Sequence, residues 1–266
     1  MGLPGRLDFH SHLIPGVDDG AADAPQSLAA LRAFAAQEVT TCITTPHFDG
    51  SLTRVPQALE ARLAQLDAGW ATLTAARAGV EGLPSMERGV ELMLDIPDVD
   101  VSDPRLRLAG GPFVLCEFPA MLLPPNAELA VKQFVARGWI PIIAHPERYR
   151  NHEADLMTIG RCRVAGAYLQ VNAGSLIGHY GPEARTTAVR LLTRGWVDYL
   201  SSDHHARGIP ATADAIAWLG TRDAEEQAYQ LTVSNPRRIL AGERPIPVTP
   251  IERRAPTLPW WRRLFR

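Results

Sequence analysis

The sequence predicts an α/β fold in which seven parallel strands, joined by helices, form a closed or nearly closed (β/α)7 barrel. Two observations support this prediction. Short apolar runs alternate with helical patterns along most of the 266 residues, and strands joined by helices pair in parallel. Seven such strands in about 240 residues fit a barrel. An open doubly wound sheet is the alternative, but no glycine-rich phosphate loop follows any strand candidate, which disfavours its nucleotide-binding form.

The strand candidates are short runs in which apolar and β-branched residues predominate. Ile140–Ala144, for example, is apolar throughout and is typical of a strand buried on both faces. In chain order, the strand candidates are Leu7–His10, Thr40–Thr45, Arg88–Leu92, Phe113–Phe118, Ile140–Ala144, Tyr168–Asn172 and Val197–Ser201.

The helix candidates repeat apolar residues at intervals of three and four, as Leu59, Leu63 and Leu66 do. This is the period of a helix with one buried face. Most of these helices separate two strand candidates, and the last two follow the final strand. In chain order, they are Pro25–Gln37, Gln57–Ala76, Glu128–Arg137, Glu153–Val164, Glu183–Arg194, Ala211–Leu219 and Ala224–Thr232.

The composition changes after Ala241, where five prolines predict an extended, non-helical tail. We therefore predict a barrel domain over residues 1–242 and a proline-rich tail over residues 243–266, which ends in the basic aromatic cluster Trp260–Arg266. Two interpretations of the tail remain open: a strap packed on the barrel, or a segment that docks to a partner or a membrane surface. The tail carries no candidate ligand, so we expect it to be dispensable for catalysis.

Overall charge and cysteine usage narrow the classes of function. The net charge is −2 and the isoelectric point about 6.4, so no excess of positive charge draws the chain to nucleic acid. The three cysteines are widely spaced and odd in number, which favours a reducing compartment over a disulfide framework. The chain offers no room for a signal peptide before the first strand and no apolar run long enough to span a membrane. We expect a cytoplasmic protein.

Histidines and carboxylates follow nearly every strand candidate at its carboxyl end. In a parallel barrel these ends face one common mouth. Six of the eight histidines fall at such positions, and a structural role for each is hard to reconcile with that coincidence. The residues at strand ends are His10, His12, His47, Glu91, Glu117, His145, Asp203, His204 and His205.

These side chains indicate a metal centre. Imidazole and carboxylate together suit divalent ions such as zinc, manganese or iron, and the lack of cysteine excludes a structural thiolate zinc site. The ligands outnumber the needs of one ion, so we expect two or three. Clustered ions lower the pKa of a bridging water and stabilise charge on an attacked phosphate. The sequence therefore predicts a multi-metal phosphoesterase.

Two further residues have two interpretations each, and a third has one. Asp19 is either a ligand or part of a turn before a helix. Arg148 either clamps phosphate oxygens through two parallel donors or makes a structural ion pair. Asn172 ends the sixth strand candidate and serves to hold a loop.

Two classes of enzyme with a nucleophilic side chain are excluded. Cysteine-dependent tyrosine phosphatases need an arginine six residues after the cysteine, which none of the three cysteines has, and no G-x-S-x-G motif of a serine nucleophile occurs.

The chain resembles the PHP (polymerase and histidinol phosphatase) superfamily, and within it the CpsB/CapC/YwqE-type bacterial protein-tyrosine phosphatases. A lone HxH motif would be weak, but the long first motif and the motifs AHPERY and QVNAGSL are specific to this branch. The resembling segments, in order, are Asp8–Gly20, Thr45–His47, Cys116–Pro119, Pro141–Tyr149, Gln170–Leu176 and Ser202–His205.

The resemblance implies a TIM-like barrel of the PHP fold that holds three metal ions, commonly manganese, with iron, zinc and cobalt as alternatives. It implies three ligand sets. The first ion would take His10, His12 and Asp203 and share Glu91 with the second, which would add Glu117 and His145. The third would take Asp19, His47 and His205. The segment around Glu91 matches the family loosely, and Glu87 is the alternative ligand.

The resemblance also implies a reaction and a partner. Water activated by the ions would attack phosphorus directly, with no phosphoenzyme, on the phosphotyrosine-rich tail of a bacterial tyrosine autokinase that controls capsule or exopolysaccharide export. Arg148 and Arg207 are the candidate catalytic residues, although the segment around Arg207 is shorter than in the family. Two other functions remain open: a small-molecule phosphatase of the histidinol-phosphate type and a non-catalytic metal-binding regulator. The sequence leaves open whether the protein is a homo-oligomer.

Overall fold

The computed structural model describes residues 5–150 and 156–252. The predicted α/β class with parallel strands is confirmed, because every paired strand in this part of the chain pairs in parallel. The strands are β1 (Arg6–Asp8), β2 (Val39–Thr44), β3 (His47–Asp49), β4 (Ser85–Arg88), β5 (Glu91–Met93), β6 (Phe113–Glu117), β7 (Ile140–Ala144), β8 (Tyr168–Asn172) and β9 (Tyr199–Ser201).

The helices lie between and after these strands. Pro25 in the first turn and the Asp23 carboxylate, which accepts a hydrogen bond from the Gln26 amide, start the first helix as expected of a capped N-terminus. The helices are α1 (Ala24–Ala36), α2 (Pro56–Arg77), α3 (Ala127–Ala136), α4 (Met157–Ala165), α5 (Ala173–Ile177), α6 (Gly181–Leu192), α7 (Thr212–Gly220), α8 (Glu225–Tyr229) and α9 (Asn235–Leu240).

The strands form two sheets among the described residues, one of three strands in the order β1-β2-β4 and one of six in the order β3-β5-β6-β7-β8-β9. The sequence predicted one sheet of seven strands. Its third strand candidate, Arg88–Leu92, is divided between β4 and β5, and β3 was not predicted. The single closed barrel therefore stays a prediction.

The break between the sheets has a local cause. Pro46 carries no amide hydrogen to donate and interrupts the path between β2 and β3. Between β4 and β5, Gly89 packs tightly against another segment, since a Cβ there would lie 3.1 Å from the Arg107 carbonyl oxygen. Two hydrogen bonds nevertheless bridge the gap, from Gly89 N to Thr44 O and from Glu91 N to Pro46 O, each 3.0 Å long. The two pairs of strands thus remain in line.

The segments that follow β1 and β9 also lie side by side. The amide of Asp203 donates to the His10 carbonyl at 2.8 Å, and the amide of His12 donates to the His204 carbonyl at 2.9 Å. Ser11 and His204 form an isolated parallel bridge. Residues from the first and last strand ends are therefore fixed against one another by backbone hydrogen bonds.

The core strands are buried on both faces, as their apolar sequences predict. Every residue of β6 is buried, and so is β7 from Pro141 onward. Phe9 and Tyr199 pack edge to face in the hydrophobic core, with ring centroids 6.3 Å apart. This rigid interior fixes the strand ends from which the candidate ligands project.

Two helix predictions differ from the structure, and one short helix was not predicted. The fourth, Glu153–Val164, begins at Met157 in the described residues, and residues 153–155 lie outside them. The short helix α5 was not predicted, because its sequence is rich in small residues that favour loops. The last predicted helix, Ala224–Thr232, instead continues from α8 through a π-helical turn into α9.

The beginning of the proline-rich tail packs on the core. Val248 and Ile251 are buried, and the Asn235 side chain exchanges two hydrogen bonds of 2.9 Å with the Ile246 backbone. This arrangement fits the strap interpretation for residues 243–252, whereas the cluster Trp260–Arg266 lies outside the described residues. Of the helices in the described ranges, none combines the length and apolar character needed to cross a bilayer.

Candidate metal centre

The strand-end residues singled out in the sequence lie close together, except that His204 packs its ring against Phe34 and belongs to none of the potential ligand groups of the described residues. The first group contains His10 and His12, which follow β1, and Asp203, which follows β9. Nε2 of His10 lies 3.3 Å and Nε2 of His12 lies 3.5 Å from Oδ1 of Asp203. All three side chains are buried. One carboxylate oxygen and two imidazole nitrogens therefore point at a single space.

Glu91 lies at the centre of the cluster and is fully buried. Its Oε2 is 3.2 Å from His10 Nε2 and 3.1 Å from His47 Nδ1, while its Oε1 is 2.7 Å from His145 Nε2. A carboxylate with one oxygen toward each of two groups is suited to bridge two ions. Glu87, the alternative ligand, is exposed on β4 and belongs to none of the potential ligand groups in the described chain.

Glu117, at the end of β6, adds a second carboxylate beside Glu91. Its Oε1 lies 3.3 Å from His47 Nδ1, and its Oε2 lies 3.9 Å from His145 Nε2. Glu117 and His145 each join Glu91 in a potential ligand group, Glu117 together with His47 and His145 together with His10. The second-ion set of Glu91, Glu117 and His145 that the family resemblance implies therefore stays a prediction.

Asp19, His47 and His205 form a more open group at the rim, with His12 beside them. Oδ1 of Asp19 lies 3.5 Å from His47 Nε2 and 3.3 Å from His205 Nε2. The turn that carries Asp19 packs closely on the first strand end, because a Cβ on Gly20 would lie 2.1 Å from the His12 carbonyl oxygen. Only glycine permits this approach, which places Asp19 beside the histidines.

The donor set fits metal ions. The nitrogens His10 Nε2, His12 Nε2 and His47 Nδ1 and the oxygen Glu91 Oε2 are buried and have no hydrogen-bond partner among the described residues. A buried polar atom without a partner is costly, and four such atoms facing one centre need a common partner. Divalent cations accept nitrogen and carboxylate donors together and would satisfy all four.

The charges of the cluster are strongly coupled. Burial alone would raise the pKa of Glu91, but the imidazoles of His10, His12 and His145 hold it well below its usual range. Burial likewise opposes a charge on His12, yet the carboxylates of Asp18, Asp203 and Glu91 raise the pKa of His12 well above its usual value. Imidazoles and carboxylates therefore stabilise each other's charged forms in this cluster, and binding of a cation would require the ligating imidazoles to be neutral.

A second set of residues, which the sequence analysis did not single out as site residues, orients the candidate ligands. Asp18 Oδ2 lies 2.7 Å from His12 Nδ1 and accepts a hydrogen bond from the His47 amide at 3.2 Å. Burial raises the pKa of Asp18, but its contact with His12 outweighs this and lowers it to about 2. Fixing one ring nitrogen of an imidazole leaves the other for a metal ion.

Gln170, in β8, orients the candidate ligands that follow β1 and β7 in the same way. Its Oε1 lies 2.9 Å from His10 Nδ1 and accepts a hydrogen bond from the His145 amide at 3.2 Å. Its amide nitrogen donates to Asn172 Oδ1 at 2.9 Å. Asn172 in turn donates to Asp203 Oδ2 at 2.7 Å, so it holds a candidate ligand and not only a loop.

Two candidate ligands have an unusual backbone conformation. His145 has φ of 31° and Asp203 has φ of 53°, in the left-handed region that non-glycine residues seldom adopt. Such residues cost on the order of 1–3 kcal/mol and are concentrated at functional sites. Sequence patterns carry no signal for this conformation at a histidine.

The two candidate catalytic arginines line a cavity of about 350 Å³ that opens beside Asp203 and His205. Arg148 donates to Asp203 Oδ2 at 2.6 Å, which realises the ion pair considered from the sequence, and its guanidinium carbon lies 4.4 Å from the centre of the Tyr180 ring. Arg207 donates to the carbonyl oxygen of Asp19. Both cations therefore lie next to the candidate metal ligands.

Comparison with known proteins agrees with this arrangement. The family model described as "Capsular polysaccharide synthesis, CpsB/CapC" matches residues 6–241. The tyrosine-protein phosphatase YwqE of Bacillus subtilis is 29% identical over 85% of this chain and 88% of its own length.

The fold has solved counterparts. A crystal structure from a study of YwqE of Bacillus subtilis and CpsB of Streptococcus pneumoniae, described there as unique metal-dependent tyrosine phosphatases, matches with a TM-score of 0.75 and 27% identity, covering 93% of this chain and 100% of that one. A mutant organophosphorus hydrolase from Deinococcus radiodurans matches in fold, with a TM-score of 0.51 and 16% identity over 89% of this chain and 93% of its own. By the extent of the family match, the chain belongs to the CpsB/CapC family of capsular polysaccharide synthesis.

Proposed function

We propose that this protein is a metal-dependent protein-tyrosine phosphatase. The observation that carries the proposal is the convergence of imidazole and carboxylate donors on one buried space, with two arginines beside it. Clustered cations and adjacent arginines suit a dianionic phosphate monoester. Relatives named as tyrosine-protein phosphatases, and a structural counterpart described as metal-dependent, support the same activity.

The proposed fold is the distorted seven-stranded barrel of the PHP type. β2 with β3, and β4 with β5, each trace one interrupted path, so that nine short strands follow seven paths. The hydrogen bonds between the ends of β1 and β9 support closure of the barrel. The proposed barrel domain covers residues 1–242, with the strap 243–252 packed against it. A closed barrel would account for the convergence of six strand ends on one mouth.

The proposed metal ligands form three sets, and two or three divalent ions, manganese first among them, would bind there. His10, His12 and Asp203 would form one set, with Glu91 shared between it and the set of Glu117 and His145. Asp19, His47 and His205 would form the third. When bound, such ions lower the pKa of water and stabilise the charge that develops on phosphate oxygens.

The chain's own residues have distinct proposed parts in the reaction. Arg148 and Arg207 would hold the phosphate oxygens through planar, charged donors, so that the ester bond faces the metal set. Asp18, Gln170 and Asn172 would hold the ligand side chains in their orientations through hydrogen bonds. Charge spreads over the equatorial oxygens as the phosphoryl group transfers, and fixed cations stabilise it without reorganisation.

The proposed partner is the phosphotyrosine tail of a bacterial tyrosine autokinase in capsule or exopolysaccharide synthesis. Membership of the CpsB/CapC family supports this assignment. We propose a cytoplasmic location, where such a tail would be accessible, and we assign no role in nucleic-acid binding, because the net charge is −2.

The test is hydrolysis by the metal-reconstituted full chain of three substrates. These are a phosphotyrosine peptide, the matched phosphoserine peptide and histidinol phosphate. We expect the highest kcat/KM on phosphotyrosine. Equal values for the two peptides would reject the tyrosine specificity, and a higher value for histidinol phosphate would assign the site to small-molecule phosphatases. Metal binding without turnover of any of the three would indicate a regulator.

A further inference from the structure

The cavity beside the metal-binding groups is lined by two kinds of residue. Asp203, His205 and Arg148 are polar or charged, whereas Tyr180 and Ile209 offer apolar surface. A phosphate ester has the same division, because its charged phosphoryl group is joined to a less polar leaving group. The cavity therefore offers apolar surface to a leaving group beside polar surface for the phosphoryl group.

Tyr180 is held in a defined position on this surface. It precedes α6, and its ring lies against the Arg148 guanidinium, with 4.4 Å between the guanidinium carbon and the ring centroid. Gly174 makes room for it, since a Cβ there would lie only 3.1 Å from Tyr180 Cε2. The ring is thus fixed between the start of α5 and Arg148, with 36% of the residue exposed. A fixed, partly exposed aromatic face is available to a second ring.

Ile209 is the second apolar element of the cavity. It lies on the loop after His205 and is 77% exposed, although it borders a strongly polar site. Gly208, with φ of 70°, allows the tight turn that brings the isoleucine to the rim. An exposed β-branched side chain beside charged groups gains burial only when an apolar group enters the cavity.

We propose that Tyr180 and Ile209 form the specificity-determining wall that receives the aromatic ring of an aryl phosphate. The inference rests on the proposed phosphatase function and deepens it by naming the residues that distinguish aryl from alkyl leaving groups. Tyr180 contributes a flat face for stacking, and Ile209 contributes further apolar contact. Arg148, stacked on Tyr180, links this wall to the phosphate, so that ring and phosphate are bound together.

The experiment compares two inhibitors and two substrates on the metal-loaded full chain. The inhibitors are phenylphosphonate and methylphosphonate, and the substrates are phosphotyrosine and phosphoserine versions of one peptide. Tyr180→Leu should raise the inhibition constant of phenylphosphonate and the KM for phosphotyrosine by about 3- to 10-fold, the value of an aromatic contact. Methylphosphonate should bind as before, within about twofold.

Conservative and distant variants serve as controls. Tyr180→Phe keeps the ring and should restore phenylphosphonate binding. Tyr229→Leu removes a tyrosine that is 44% exposed outside the cavity and should leave both constants unchanged. Ile209→Ser should weaken phenylphosphonate selectively, whereas Val164→Ser, at a 92% exposed position on α4, should not. Because Ile209 is so exposed, its variant tests the wall without disturbing the fold.

The possible results distinguish failure of the proposed phosphatase function from failure of the proposed wall. A wild-type protein that hydrolyses no aryl phosphate would overturn the proposed function, and the wall with it. A wild-type protein active on phosphotyrosine, whose Tyr180→Leu and Ile209→Ser variants weaken both phosphonates equally or neither, would overturn the wall alone. Selective loss of phenylphosphonate in both variants, with rescue by Tyr180→Phe, would support it.

Discussion

Arg148 and Asp203 form an ion pair in which both side chains also contact other residues of the site. Nη1 of Arg148 donates to Oδ2 of Asp203 at 2.6 Å, and the other oxygen of Asp203 faces His10 and His12. One carboxylate therefore connects the arginine to the candidate metal ligands. This geometry allows Arg148 both to make a structural ion pair and to hold a phosphate oxygen. The two roles predict different effects of replacing Arg148.

Replacement of Arg148 by alanine should lower kcat/KM by roughly 30- to 1000-fold, or about 2–4 kcal/mol of transition-state stabilisation. Arg148→Lys should recover little, because an ammonium lacks the planar pair of donors. Metal content should stay the same, since arginine is not a ligand. The measurements are kcat/KM, metal stoichiometry and melting temperature on the same preparations.

A purely structural ion pair would behave differently. It predicts a lower melting temperature with near-normal kcat/KM in Arg148→Ala. Arg137→Ala is the matched control, because Arg137 makes an exposed ion pair with Asp98, with 3.0 Å between nitrogen and oxygen. This pair does not line the cavity. That variant should change neither turnover nor stability appreciably.

Replacement of His10 or Asp203 by alanine should abolish turnover while a cooperative thermal transition persists. Both side chains belong to the donor cluster and not to the apolar core, so their loss removes chemistry more than packing. Turnover and calorimetric melting of the two variants check this. Wild-type kcat/KM in either variant would contradict the assignment of these residues as ligands.

Replacement of Asp18 by asparagine should weaken metal binding by about 10- to 100-fold without removing any ligand, as is usual for residues that orient ligating histidines. The reason is that Asp18 fixes His12 Nδ1 and the His47 amide. Activity should return at high metal concentration. A metal titration monitored by turnover measures the shift. Asp23→Asn, in the exposed cap of α1, is the control and should bind metal normally. An unchanged titration for Asp18→Asn would refute its orienting role.

Truncation after Glu252 should preserve both stability and hydrolysis of a small aryl phosphate, because no candidate ligand follows it. Truncation after Gly242 should instead destabilise the protein, since it removes Val248 and Ile251 from the core. Each buried aliphatic side chain contributes about 1.5–3 kcal/mol. Melting temperatures of the two truncated chains test this. Full stability of the shorter chain would show that the strap contributes nothing, and complete loss of activity in the longer one would show that the tail completes the site.

The sequence alone was sufficient to single out the residues at the strand ends. Strands that alternate with helices pair in parallel, and parallel strands have their carboxyl ends on the same side of a sheet. It did not predict the break at Pro46 and Gly89, which depends on how closely two distant segments approach. Gln170 also could not be singled out, since a glutamine inside an apolar strand has no characteristic spacing to His10 or His145. The left-handed backbone of His145 and Asp203 depends on their surroundings and not on local sequence.

The most direct test of the metal centre is a titration of chelated, metal-free protein with manganese, in which bound metal per chain and kcat/KM on a phosphotyrosine peptide are measured in the same samples. We predict negligible turnover without metal and a rise that is complete only after the second or third equivalent has bound, because the donors are divided among adjoining sets that share Glu91. Full activity in the metal-free protein would contradict the proposed chemistry. Saturation of turnover after a single equivalent would contradict the multi-metal arrangement.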